Sequence, residues 1–167
     1  MSKYDNSKKT SFIKDLCDLP SLDDKDNDLT IRSKFNLSYF DASQEEGQDF
    51  CEWSDSQLHD LLNKLKDFTT NSLDYWRNRR AGGGGLKVLA IYGSFPLKSS
   101  FKKPKHVPHQ ANWGRFRLGN KVRLIGFTIP PEYHNTIHKK TGELFDKNTF
   151  YVVFLDQDHK FYLTEED

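Results

Sequence analysis

The sequence predicts an α+β fold, and three stretches carry that prediction. Residues 54–68 open with a helix-capping pattern and continue as an amphipathic stripe. Residues 113–129 read as two alternating runs around a turn. Residues 149–155, TFYVVFL, are apolar on both faces, as a central strand should be. A chain of 167 residues has the length for one domain with a real core plus extensions.

Residues 1–34 are rich in Asp, Lys, Ser and Asn, with acids clustered at Asp23, Asp24, Asp26 and Asp28. Only Phe12, Ile13, Leu16 and Leu19 suggest a short amphipathic stretch, so an acidic, mobile or partner-dependent extension is expected there. The folded domain is expected over 35–167. Residues 35–40, FNLSYF, alternate as a strand with Phe35, Leu37 and Tyr39 on one face.

The clearest helix start is Ser54, whose hydroxyl can accept the amide of Gln57 while the Gln57 side chain reaches back. Trp53 is placed to staple against Leu58, and Leu58, Leu61, Leu62, Leu65 and Phe68 form the stripe. Residues 69–71 can cap a second helix through Leu73, Trp76 and 77–80. Gly82, Gly83, Gly84 and Gly85 stop it and are expected to form a flexible joint. This glycine run lacks the Gly-Lys-Ser/Thr ending of a nucleotide loop and follows a helix, not a strand.

Residues 86–92, LKVLAIY, read as a strand. An exposed basic loop follows over 95–110, carrying Lys98, Lys102, Lys103, Lys105, His106 and His109. The register of the 113–129 hairpin follows from side-chain chemistry. A two-residue loop at Gly119-Asn120 mixes charge and hydrophobe on both faces. A three-residue loop, Gly119-Asn120-Lys121, pairs Leu118 with Val122, Arg117 with Arg123 and Phe116 with Leu124. Phe116, Leu118, Val122 and Leu124 then share one face, and Arg115, Arg117 and Arg123 the other. Because Ile125 and Phe127 continue the arginine face, only its first part can be polar. Residues 130–148 read as an inserted loop or hairpin, and 156–162 turn out of the core.

The formal charge of +1 hides a strong segregation. Residues 1–74 carry a balance of −7, residues 75–131 carry +12 with no acid at all, and residues 132–167 carry −4. A run of 57 residues without a carboxylate concentrates positive potential and is the footprint of phosphate binding. A basic segment can also neutralise acidic parts of its own chain, and counting leaves both uses open.

Mean hydropathy of −0.79 describes a polar globular protein, while 14% aromatic residues argue against wholesale disorder. No apolar window reaches bilayer-spanning length and the start lacks a signal h-region, so a cytoplasmic protein with no membrane partner is expected. Cys17 and Cys51 are expected to be free thiols. His106/His109 and His134/His138 have zinc-compatible spacings without a convincing third ligand, so no metal or other cofactor is expected.

The segments Gly119 to Phe127 (GNKVRLIGF), 150–155 and Asp158-His159-Lys160-Phe161-Tyr162 resemble the RelE/ParE toxin superfamily of toxin-antitoxin systems. The resemblance covers about residues 35–162 and implies a two-helix hairpin packed on a small, mainly antiparallel twisted sheet. The N-terminal extension and the insertion near 130–148 depart from the family pattern. RelE-type members are ribosome-dependent, metal-independent endoribonucleases that cleave mRNA by 2'-hydroxyl attack and are held inactive by a cognate antitoxin protein. ParE-like members poison DNA gyrase instead, and a non-toxic nucleic-acid-binding module is a third reading.

On this resemblance Arg123 matches the arginine that contacts the scissile phosphate, and Arg117 and Lys121 complete a phosphate clamp with Arg115 beside them. His159 is the acid/base candidate, because its ordinary pKa lies nearest neutrality. Tyr162 matches the tail tyrosine that stacks on a base or positions the 2'-hydroxyl, with Lys160 as a further RNA contact. Each has a plain alternative: an exposed strand arginine, a turn histidine, a core-edge aromatic.

Overall fold

The computed structural model describes residues 7–17 and 19–163, and the chain divides into two compact units, Met1–Thr30 and Ile31–Asp167. In the first, α1 spans Ser7–Cys17. Its apolar side chains Phe12, Ile13 and Leu16 are all about half exposed or more, as is Leu19 beyond it. The acidic stretch after the helix folds on itself through its own side chains: Asp24 accepts the Ser21 amide at 2.7 Å, and Asn27 bonds the Ser21 carbonyl at 3.0 Å.

The second unit is α+β with a mainly antiparallel sheet, in the order β1-β7-β6-β5-β4. β1 (Lys34–Asn36) runs parallel to β7 (Thr149–Asp156). β7 pairs antiparallel with β6 (Arg123–Thr128), β6 with β5 (Asn112–Arg117), and β5 with β4 (Leu89–Gly93). β1 is shorter than the alternation of 35–40 predicts. The Asn36 side chain takes the Ser38 amide and Phe40 donates to the Leu37 carbonyl, so the backbone turns after three residues. Leu37 is left exposed, and Phe35 and Tyr39 pack on opposite faces of the sheet.

Helix α2 (Asp55–Phe68) starts at the reciprocal Ser54/Gln57 capping box. Trp53, Leu58, Leu61, Leu65 and Phe68 enter one core, whereas Leu62 is 64% exposed. At about 100° per residue Leu62 keeps the spacing of the stripe but lies at its edge, about 100° from Leu61 and further from Phe68, so it turns to solvent. Ser72, one residue after the expected 69–71, caps α3 (Leu73–Asn78). The Trp76 indole donates to the Phe68 carbonyl at 2.7 Å and binds the two helices together.

The glycine run is not a joint between larger pieces. It closes a small antiparallel ribbon of β2 (Arg80–Ala81) and β3 (Leu86–Lys87), with Gly82 and Gly85 at positive φ. The predicted 86–92 strand is accordingly split at Val88, which bonds both Arg79 and Arg117 through its backbone.

The β5–β6 hairpin has the register that side-chain chemistry selects, with Phe116 opposite Leu124, Arg117 opposite Arg123 and a Leu118-to-Val122 backbone bond. One face of the sheet meets α2 and α3 through Leu89, Phe116, Leu124, Phe150, Val152 and Leu155. The bulge between Val152 and Phe154 shifts β7 by one residue, so Val153 and Phe154 reach the opposite face. That second face is also covered. Phe101, Val107 and Ala111 of the basic loop are buried on it with Trp113, Ile125, Phe127 and Phe161, while Lys102, Lys103 and Lys105 stay exposed. The loop is basic outside and apolar underneath.

Residues 130–148 form a short hairpin, with a bridge from Ile137 to Leu144 and a 2.9 Å bond from the Asn135 amide to the Phe145 carbonyl. Cys51 is an exposed free thiol; the expectation for Cys17 lies outside the described side chains. Among the described residues no helix is long and apolar enough to cross a membrane.

Candidate anion-binding site

The second sheet face changes character along its length. Trp113, Ile125 and Phe127 are sealed under the loop, and two residues further along β5 the same face presents Arg115 and Arg117, with Arg123 opposite Arg117 on β6. Strand alternation puts the three guanidinium groups on one face, and the three-residue turn sets their register. Among the described residues none of the three forms an ion pair.

Arg123 is nearly enclosed, at 2% exposure. Its guanidinium donates to three carbonyls of the hairpin turn: Gly119 at 2.9 Å, Val122 at 2.8 Å and Asn120 at 2.8 Å. Burial first, and then the charges of Arg115 and Arg117, bring its pKa down from the usual arginine range to about 10, so it stays cationic at neutral pH. Arg117 shares the same turn, reaching the Asn120 carbonyl at 3.2 Å. Arg115 donates from Nε to the Tyr92 hydroxyl at 2.5 Å. Each arginine still holds one buried nitrogen with no partner: Nη1 of Arg115, Nε of Arg117 and Nε of Arg123. Three guanidinium charges share this face with no carboxylate bonded to them among the described residues, which favours an anionic oxygen at its solvent-open part.

Asp156 is the cross-strand neighbour of Arg123 and is fully buried. It does not close on the arginines. One carboxylate oxygen accepts the Lys160 amide at 2.9 Å and the other the Phe161 amide at 3.0 Å. This buried carboxylate shapes the tail into a tight turn and holds His159 at φ 63°. His159 is thereby brought close enough to the cluster to feel Arg123, Arg115 and Arg117. Burial first, then those charges, lower its pKa below the ordinary 6.5, against an opposing pull from Asp156. The ring is therefore neutral at pH 7 and able to accept a proton.

A consequence for stability follows from this sign. A histidine with a depressed folded pKa contributes stability that is present above its unfolded value and lost as pH falls through the folded one. Thermal melts of the wild type should lose stability as pH drops from 6.5 toward 5, and His159→Gln should flatten that decline. Identical pH profiles for the two proteins would show that the arginines do not act on this ring.

Tyr162 is 41% exposed and stacks on Tyr92, with centroids 4.8 Å apart at 16°. Burial is the main cause of a raised Tyr92 pKa, which keeps its hydroxyl protonated beside Arg115. The structure thus gathers Arg115, Arg117, Arg123, His159 and, through Tyr92, Tyr162. Lys121 is exposed on the turn and Lys160 is half-buried; among the described residues no contact ties either ammonium group to the cluster. Trp113 is 1% exposed and is no stacking platform.

Tyr92 and Asp156 are the residues that sequence reasoning missed. The first lies in a run that reads only as apolar strand, and the second at the start of the segment that reads as turning out of the core. His134 and His138 each direct a ring nitrogen to their own loop, at the Lys147 amide and the Thr141 hydroxyl. Among the described residues no group of three or more potential ligands gathers for a metal ion. Compared with known protein families, with curated proteins and with solved structures, the chain finds no match, so the chemistry of this cluster carries the functional reading.

Proposed function

We propose that the chain binds RNA through the arginine face of its β5–β6 hairpin and cleaves it there without a metal ion, as an endoribonuclease of the toxin type. The observation that carries this reading is the set of three guanidinium groups on one face, none ion-paired among the described residues, with Arg115 and Arg117 partly open to solvent. Carboxylates that neutralise a merely solubilising patch do not close on this one. The RelE/ParE-like arrangement is part of the same proposal, supported by the hairpin register and by the tail that runs beside it.

The roles divide by exposure. Arg115 and Arg117 are half-buried, so an anion from solvent reaches them, whereas enclosed Arg123 holds the turn and adds its charge to the field. In the cleavage step the RNA 2'-oxygen attacks the adjacent phosphorus and its proton passes to a neutral ring nitrogen of His159. The bond from phosphorus to the 5' oxygen breaks, and water supplies the proton that this oxygen takes up. The products are a 2',3'-cyclic phosphate and a free 5' hydroxyl. The guanidinium groups carry the extra negative charge of the phosphorane between these states. A cognate antitoxin protein would silence the site by covering the same face.

The test is binding and cleavage of a short, unstructured, end-labelled RNA in a chelating buffer. Affinity should fall steeply with salt, and Arg117→Gln should lower the slope of log K against log salt by about 0.7, the share of one single-strand phosphate contact. Cleavage should leave a cyclic phosphate and stop when one 2'-hydroxyl is replaced by hydrogen. Intact RNA with salt-dependent binding would remove the nuclease and leave a binding module. Binding indifferent to both salt and Arg117→Gln would remove the RNA reading itself.

A further inference from the structure

At the end of β6 away from the arginines, Pro130 and Pro131 have no amide to give to a ladder, and the chain turns out of the sheet into the 130–148 hairpin. The Asn135 and His138 amides donate to the Phe145 and Glu143 carbonyls, at 2.9 and 2.8 Å, and fix its register. Neighbouring residues of such a ribbon point to opposite sides. Ile137 and Leu144 are left outside, at 66% and 60% exposure, while His138 and Phe145 turn inward and are half-buried. With Tyr133, Tyr39 and Phe127 they line a cavity of about 300 Å³, and the exposed Gln110 stands at its edge.

We infer that this cavity binds a small planar aromatic carboxylate, a ligand separate from the anion of the arginine face. The rings around it stand nearly at right angles: Tyr39 to Phe127 at 84°, Tyr133 to Phe145 at 79° and His138 to Phe145 at 83°. Such pairs offer a flat guest one face to stack on and one edge to meet side-on. The volume lies at the lower end of small-ligand sites, roughly 300–1,000 Å³, and limits the guest to a small ring system. Charge selects the sign. No acidic residue lines the cavity, and Gln110 and Phe127 belong to the acid-free stretch 75–131. Of the hairpin's acids, Glu132 and Glu143 are exposed and Asp146 pairs with Lys34, while Lys139 and Lys140 directly follow His138. A cation caged by the same rings would meet no carboxylate and a positive surrounding. The donor is His138. Its Nδ1 accepts the Thr141 amide at 3.2 Å, so the neutral ring carries its proton on Nε2. Among the described residues the ring's hydrogen bonds are all at Nδ1, which leaves the Nε2–H for a carboxylate oxygen.

The experiment titrates the isotope-labelled full chain with five probes and follows the Gln110, Thr141 and Phe145 amides by NMR. Indoleacetate should move them at millimolar concentration or below and bind about tenfold more tightly than neutral indole, the share of one charge-assisted hydrogen bond. Tryptamine, which carries an ammonium group instead, and octanoate, an alkyl carboxylate, should bind more weakly than indoleacetate. His138→Phe should bring indoleacetate down to the affinity of indole and leave indole itself unchanged. Gln110→Trp, which fills the edge of the cavity, should weaken both, and Arg117→Gln, at the far end of β5, should change neither. If His138→Phe loses both probes, the hairpin has gone with it and Gln110→Trp decides: an unchanged indoleacetate affinity there overturns the cavity. Amides that stay still with every probe overturn it as well. Tryptamine or octanoate binding as tightly as indoleacetate, or His138→Phe without effect, overturns the ligand class. Tighter binding of N-acetyltryptophanamide assigns the cavity to a side chain of a partner protein and overturns the small ligand.

Discussion

Gly126→Ala should cost more stability than any other single-methyl change in the sheet, about 4 kcal/mol or more, and leave much of the protein unfolded or insoluble. Gly114 and Gly126 face each other across β5 and β6 on the helix side of the sheet. Their missing side chains make a gap that Phe150 and Ile91 fill. A Cβ at Gly126 would fall on the Tyr151 carbonyl oxygen and within 2.7 Å of the Phe150 ring. The carbonyl belongs to the neighbouring strand and cannot turn aside without opening the ladder. Central strands have no slack for this, because packing on both faces fixes their spacing. Gly119→Ala is the control: nothing lies within 4 Å of a Cβ there and its backbone is not left-handed. A Gly126→Ala protein that melts within a few degrees of wild type would mean that the β6–β7 contact is looser than described.

Asp156→Ala should be the second large effect, a loss of about 3 kcal/mol, or roughly 10 °C in melting temperature. The side chain is fully buried and holds two amides, at Lys160 and Phe161. Deleting it strands both donors and leaves Arg123 without its nearest opposite charge. Asp156→Asn keeps only one acceptor oxygen and should fall between wild type and Ala. Because the same carboxylate sets the turn that carries His159, the proposed function has both variants also losing RNA cleavage more completely than RNA binding. Equal loss of the two, measured at a temperature where the variant is still folded, would separate Asp156 from the placement of His159.

The residues that were legible in the sequence are those whose environment is set by near neighbours. The Ser54/Gln57 box needs only four consecutive residues, and the three-residue hairpin turn follows from asking which register sorts arginine from leucine. TFYVVFL reads as central because both of its faces are apolar, and the bulge at Val153 shows how one strand serves both. Arg115, Arg117 and Arg123 were legible as one face for the same reason, since strand alternation is fixed by backbone geometry.

What was misread depended on distant partners. Leu62 looked like part of the stripe because it stands four residues after Leu58 and three before Leu65, and only the packing of the helix on the sheet leaves that edge of the stripe in solvent. The basic loop looked fully exposed because its lysines outnumber its buried side chains, yet Phe101, Val107 and Ala111 cover a sheet face that no local pattern reveals. The glycine run became the loop of a ribbon only because Arg80 finds Lys87 across it.

By itself, the sequence determined the α+β class, the cap of α2, the register of the hairpin and the sharing of one face by three arginines. Tertiary structure decided which arginine is enclosed, that a buried Asp156 turns the tail toward them, and that Tyr92 links Arg115 to the ring of Tyr162. Alternation and capping act over a few bonds and leave a trace in the order of residues. Enclosure, field and shared walls arise only when segments far apart in the chain exclude water from the same space.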